Sequence, residues 1–145
     1  MEDVLTADAG DHPRVHFLGF QNQSRMPVVY RLGDLFVLPS RGPGETWGLA
    51  VNEAMACGQP VVVTSCVGCA PDLVDEKNGA VVPSEDAESL RTTLRELLSD
   101  PERLRTLGRR SAERIQSWSI DVAAERTAVA VQSVAGQEPT GKEAA

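Results

Sequence analysis

Apolar positions follow two rhythms along this chain. In the first half they form short unbroken runs: "DLFVLPS" (34 to 40), "PVVVTS" (60 to 65) and "GAVVP" (79 to 83). A run with no polar alternation reads as a strand buried on both faces. "RVHFLGF" (14 to 20) reads as a further short strand ending at Gly19. Between these runs lie helix-forming stretches. "SRMPVVYRLG" (24 to 33) places Pro27 in a first turn and closes at Gly33. "GLAVNEAMACG" (48 to 58) is rich in Ala, Leu and Met and ends at Gly58. "APDLVDEKN" (70 to 78) predicts a helical turn. Strand alternating with helix predicts an α/β fold built on a parallel, doubly wound sheet.

The second half switches to a helical period. Leu90, Leu94, Leu97 and Leu98 fall on one stripe of "SEDAESLRTTLRELLSD", with Ser84 as the expected N-cap. "DPERLRTLGRRSAERI" restarts with Asp100 as N-cap, Pro101 at the first helical position and an apolar face of Leu104, Leu107 and Ile115. A last helix follows Trp118 and covers 119 to 135. Residues 1 to 13 read as a loose, flexible leader and 136 to 145 as a disordered polar tail.

Composition narrows the partners. With 145 residues the chain can bury a real core. A net charge of −7 argues against a nucleic-acid groove or an anionic membrane surface. No apolar run approaches the roughly 20 residues of a membrane span, and "MEDVLTADAGDHP" lacks the pattern of a signal peptide. The three cysteines, Cys57, Cys66 and Cys69, are an odd count that favours a reducing, cytoplasmic setting. "CVGC" has C-x-x-C spacing but no second Cys or His pair follows, so small buried thiols are the better reading than zinc.

The chemistry concentrates in "ETWGLAVNEAMACGQP". Glu45 and Glu53 stand eight positions apart. If the helix starts near Trp47 or Gly48, Glu45 sits in the entering loop and Glu53 about one and a half turns inside. At roughly 1.5 Å per residue, the helical stretch separating them is under about 10 Å. The first amides of a helix lack internal partners and suit a phosphate. Carboxylates repel phosphate but accept paired hydroxyls. The picture is a nucleotide sugar: ribose diol on Glu53, diphosphate at the helix start, sugar toward Glu45. Spacing alone also fits solvent-facing or capping glutamates.

The landmarks together resemble a known family. Pro39-Ser40, Glu45 and Glu53 as Glu-x7-Glu, Ala54-Met55-Ala56, Gly58, Pro60-Val61-Val62 and Asn78-Gly79 follow one another as in the donor-binding half of the group 1 (family 4) glycosyltransferases, which have the two-domain GT-B fold. The resemblance runs from about Val15 to Trp118. It implies transfer of a sugar from a UDP- or GDP-sugar to an acceptor with retention, and no bound metal or other cofactor. It implies that Glu53 takes the ribose, that Glu45 is the catalytic-site glutamate facing the donor sugar, and that Trp47, Gly48 and Leu49 replace the usual Phe-Gly-Leu. Ser40 and Thr46 complete the implied donor-binding set. Retention without an evident protein nucleophile implies a front-face displacement.

Departures are Gly68-Cys69 for the usual Gly-Gly, Asp72 for Glu, and Arg41 as an extra cation, which reads as a surface arginine. His16 reads as a strand histidine. By resemblance a complete sheet has strand order 3-2-1-4-5-6, of which this chain supplies the third to the sixth. The first strand is therefore expected either to pair onto "DLFVLP" or to leave that edge to a partner. The acceptor domain is also absent, so a glycan or lipid acceptor, and any peripheral membrane association of a full enzyme, would depend on that N-terminal domain. Three readings stay open: a truncated retaining glycosyltransferase inactive alone, the donor subunit of a two-chain enzyme, or a non-catalytic nucleotide-sugar-binding or interaction module.

Overall fold

The structure is a computed structural model and describes residues 2–10, 12–42 and 44–135. Three parallel strands form its sheet in the order β1-β2-β3: β1 Phe36–Leu38, β2 Val61–Thr64 and β3 Gly79–Val82. Phe36 is in register with Val61, and Val61 in turn with Gly79. The helices are α1 Glu2–Ala9, α2 Met26–Tyr30, α3 Leu49–Ala56, α4 Ala70–Leu73, α5 Ala87–Leu98, α6 Pro101–Ile115 and α7 Ile120–Ala135, with a 3-10 turn at Gln116–Trp118 before α7.

The expected α/β class is present, and β2 shows why its run is apolar throughout. Val61 and Val63 belong to one core, with Val51, Ala54 and Met55 of α3 and Leu73 of α4. Val62 belongs to a second, with Leu97 of α5 and Leu104 and Leu107 of α6. Alternate residues of one strand thus enter cores on opposite faces, and each fully buried Val or Leu contributes about 1.5–3 kcal/mol. The Asp100 side chain accepts from the Arg103 amide at 3.0 Å and Pro101 opens α6, as the sequence predicts. A second fixed point joins the layers. Buried Asn78 accepts from the Asp75 amide at 2.9 Å, donates to Leu73 O at 2.8 Å, and its carbonyl takes the Ser111 hydroxyl at 3.2 Å.

Five expectations change. The segment 14–20 forms no strand, and Phe17, Leu18 and Phe20 are exposed. A strand needs a ladder partner, and no described strand pairs with this segment. It does not pair onto β1, and no described strand joins the outer edge of β1. Residues 2–9, read as leader, form α1. Helix α5 is capped by Asp86, which accepts from the Ser89 amide at 2.9 Å, not by Ser84. Glu85 between them has φ 64°, a turn that delays the helix. Leu98 leaves the stripe and is exposed, while Leu97 is buried. The 70–78 stretch is helical only over Ala70–Leu73. The expected tail at 136–145 lies outside the described residues.

Candidate functional site

All three strands run the same way, so the turns after Leu38, Thr64 and Val82 gather at one end of the sheet. Ser40 follows β1, Cys66 follows β2 and Ser84 follows β3. This is the end at which open α/β sheets bind ligands.

The loop between β1 and α3 carries Glu45, Thr46 and Trp47, and two backbone bonds fix its far half. The Gly68 amide donates to Glu45 O at 3.3 Å and the Cys69 amide to Trp47 O at 2.8 Å. Gly68 must be glycine for this approach, since a Cβ there would stand 1.9 Å from Thr46 O. Gly48 caps α3 at φ 95°, in the left-handed region that disfavours side chains. A Cβ on it would meet Val67 Cγ1 at 2.8 Å. The helix therefore opens where the sequence predicts. Val51 N bonds Gly48 O at 2.8 Å, while the amides of Gly48, Leu49 and Ala50 have no partner among the described residues. Leu49 is exposed and Ala50 half-buried, whereas Gly48 itself is buried.

Glu45 is half-buried, and its charge bears on the thiols of Cys66 and Cys69. Glu53, also half-buried, stands on α3 and is held from α2: the Tyr30 hydroxyl donates to Glu53 Oε2 at 2.8 Å. Its Oε1 has no partner among the described residues. Burial, and then the bond to Glu53, keeps the Tyr30 hydroxyl protonated well above the usual phenol range. The two glutamates do not touch each other; they flank the helix start, one on the loop and one on α3. Trp47 faces inward, its Nε1 donating to Asn52 Oδ1 at 3.0 Å and its ring lying 5.7 Å from that of Trp118. Thr46 is exposed. Arg41 lines a cavity of about 100 Å³ beside Glu85 and Asp86, surroundings that suit a cation and not a phosphate.

Sequence reasoning missed three participants. Tyr30, the only tyrosine, positions Glu53; its signal was a single polar group inside an apolar helix. Thr64 and Cys66 converge with Ser84 on Ser40 O. The Thr64 hydroxyl donates at 2.6 Å, the Cys66 thiol at 2.8 Å and the Ser84 hydroxyl at 3.4 Å. The hydrogen bonds to Thr64 and Ser84 draw the Cys66 thiol below its ordinary value, whereas burial pushes Cys69 up to about 11. Among the described residues no group of three His, Cys, Asp or Glu is placed to hold a metal ion. No described helix is long and apolar enough to cross a membrane.

A parallel three-stranded sheet with helices on both faces, built from alternating strands and helices, defines a doubly wound type of α/β domain. The group 1 glycosyltransferase profile (Glycosyl transferases group 1) matches residues 3–114, and the chain belongs to that family. It is 35% identical over 117 residues, 81% of its length, to the D-inositol 3-phosphate glycosyltransferase of Salinispora tropica. It superposes on sucrose-phosphate synthase from Thermosynechococcus elongatus with a TM-score of 0.76 and 31% identity, over 94% of this chain and 34% of that one. Anabaena HepE in complex with UDP-glucose superposes with a TM-score of 0.73 and 27% identity, over 91% of this chain and 36% of that one. These neighbours are GT-B glycosyltransferases, and the chain has the fold of part of that architecture. It spans about a quarter of the length of the curated relatives it matches, 21% of one and 24% of another.

Proposed function

We propose that this chain is the donor-binding part of a retaining, family 4 glycosyltransferase that uses a UDP- or GDP-sugar. The observation that carries the reading is the start of α3, whose Gly48, Leu49 and Ala50 amides have no partner among the described residues and lie between Glu45 and Glu53. In this reading the diphosphate rests on those amides, where the helix dipole favours negative charge. Glu53 Oε1 accepts a ribose hydroxyl while Tyr30 holds the other oxygen. Glu45 faces the sugar. Ser40 and Thr46 border the donor.

Chemistry then follows from position. The diphosphate is the leaving group, its charge met by amide dipoles with no resident metal. An acceptor hydroxyl enters on the face the diphosphate leaves, giving its proton to a diphosphate oxygen, and Glu45 supports the positive charge that develops at the sugar. A glycan or lipid acceptor would be held by a separate N-terminal domain, with any contact to a cytoplasmic membrane face made there. The HepE complex, a likeness in fold, supports the donor class.

Amide NMR of the uniformly 15N-labelled chain tests this. Adding UDP-glucose or GDP-glucose is expected to shift Gly48, Leu49, Ala50 and Glu53 most. If all four amides stay in place at 10 mM (about ten times a weak, millimolar Kd), the donor-site reading is wrong.

A further inference from the structure

We infer that Cys66 is a positioning residue for the donor-sugar side of this site, acting through the Ser40 carbonyl to set the loop that presents Glu45. The inference rests on the donor-site reading above.

The loop between Ser40 and Glu45 contains Gly42 and Gly44, and its described residues make no hydrogen bonds between 41 and 44. Hydrogen bonds from the 64–69 segment reach it at its two ends. At the far end the Gly68 and Cys69 amides hold Glu45 O and Trp47 O, and the Cys69 thiol lies 3.9 Å from Gly48 O. At the near end Ser40 O is pinned from beneath. A carbonyl oxygen has two lone pairs, and the two short bonds to Ser40 O come from Thr64 at 2.6 Å and Cys66 at 2.8 Å; Ser84, at 3.4 Å, is the weaker third.

Both ends are thus gripped by one short stretch, Cys66-Val67-Gly68-Cys69. That is the "CVGC" whose spacing first invites a metal or a disulfide. Its two thiols instead point to two different carbonyls, at either end of the loop that carries Glu45. Thr64 is buried and also part of β2, so its loss would disturb the sheet itself. Cys66 lies beyond the strand and is half-buried. Removing its thiol loosens one pin and leaves the rest of the stretch in place.

The consequence is selective. The nucleotide half of the donor meets the α3 amides and Glu53, which Cys66 does not touch. The sugar half meets Glu45, which it does place. Isothermal titration of the full chain with UDP-glucose and UDP, and with GDP-glucose and GDP, separates the two halves. In Cys66→Ala the sugar nucleotide is expected to bind about fivefold more weakly, the scale of one net hydrogen bond. The bare nucleotide should stay within about twofold of the parent. Cys66→Ser, which restores an O–H donor, should recover sugar-nucleotide binding, and all three proteins should melt alike. Equal binding of both ligands by Cys66→Ala, or an equal loss of both, overturns the inference and leaves the donor site standing. A parent chain that binds neither sugar nucleotide overturns both.

Discussion

Gly68→Ala is the sharpest test of how the Glu45 loop is held. The added methyl would sit 1.9 Å from Thr46 O and 2.6 Å from Thr46 C. Both are backbone atoms, so no rotamer change relieves the overlap. The loop would have to retreat by about 1 Å to reach even a tight contact in a close-packed interior. The Gly68 amide bond to Glu45 O is already 3.3 Å long, and the neighbouring Cys69 bond to Trp47 O is 2.8 Å. A retreat of that size breaks the first and strains the second. Losing most of two backbone hydrogen bonds costs about 1–2 kcal/mol net, and overpacking adds about 1–3 kcal/mol. A total near 3 kcal/mol is a large share of the stability of a domain this size. Urea unfolding followed by circular dichroism reads it directly, as a fall in midpoint at unchanged slope. Gly42→Ala and Gly44→Ala are the controls, because a Cβ at either position meets nothing within 4 Å. Both should stay within about 0.5 kcal/mol of the parent. A Gly68→Ala protein as stable as these controls would refute the close approach of the 66–69 stretch to the loop.

Two further outcomes follow from other contacts. Burial raises the Asp75 carboxyl, but the Lys77 amide and Arg114, whose Nη1 lies 2.5 Å from Asp75 Oδ2, outweigh it and hold the carboxyl below its ordinary value. A lowered folded-state value contributes stability above the unfolded pKa of 3.8 and loses it as pH falls. The stability gap between the parent and Asp75→Asn should therefore be present at pH 7 and shrink toward pH 2; a gap that does not vary with pH contradicts the pairing. Helix α7 is exposed along nearly its whole length, with Ile120, Val129, Val131 and Val134 in solvent. A chain ending at Ser119 should melt within about 2 °C of the full chain, since surface changes away from the core stay within about 0.5 kcal/mol; a larger drop would show that α7 packs.

The sequence disclosed what local chemistry decides. The β2 run could only be a doubly covered strand, and the Asp100-Pro101 start of α6 is written in two residues. The position of α3 followed from Gly48 and the apolar run behind it. Pairing is not local, however. "RVHFLGF" has the composition of a strand and still forms none, because a strand exists only with its neighbours. Likewise Ser84 and Asp86 are equally good caps as residue types, and the turn at Glu85 chooses between them. In the candidate site, the glutamate spacing located the helix start but not what supports it. The hold of Tyr30 on Glu53 and of the 66–69 stretch on the loop arises between residues 21 to 26 positions apart, and no short window of sequence displays it.

The chain's two tryptophans, Trp47 and Trp118, share one contact. One indole belongs to the loop that precedes α3, the other to the junction from which α7 departs. Their closeness makes the molecule its own optical gauge. Excited-state coupling between the rings depends steeply on their separation and tilt, here 5.7 Å and 39°. Any event that lifts the loop or swings the terminal helix will register as a change in near-ultraviolet ellipticity and emission, with no dye attached.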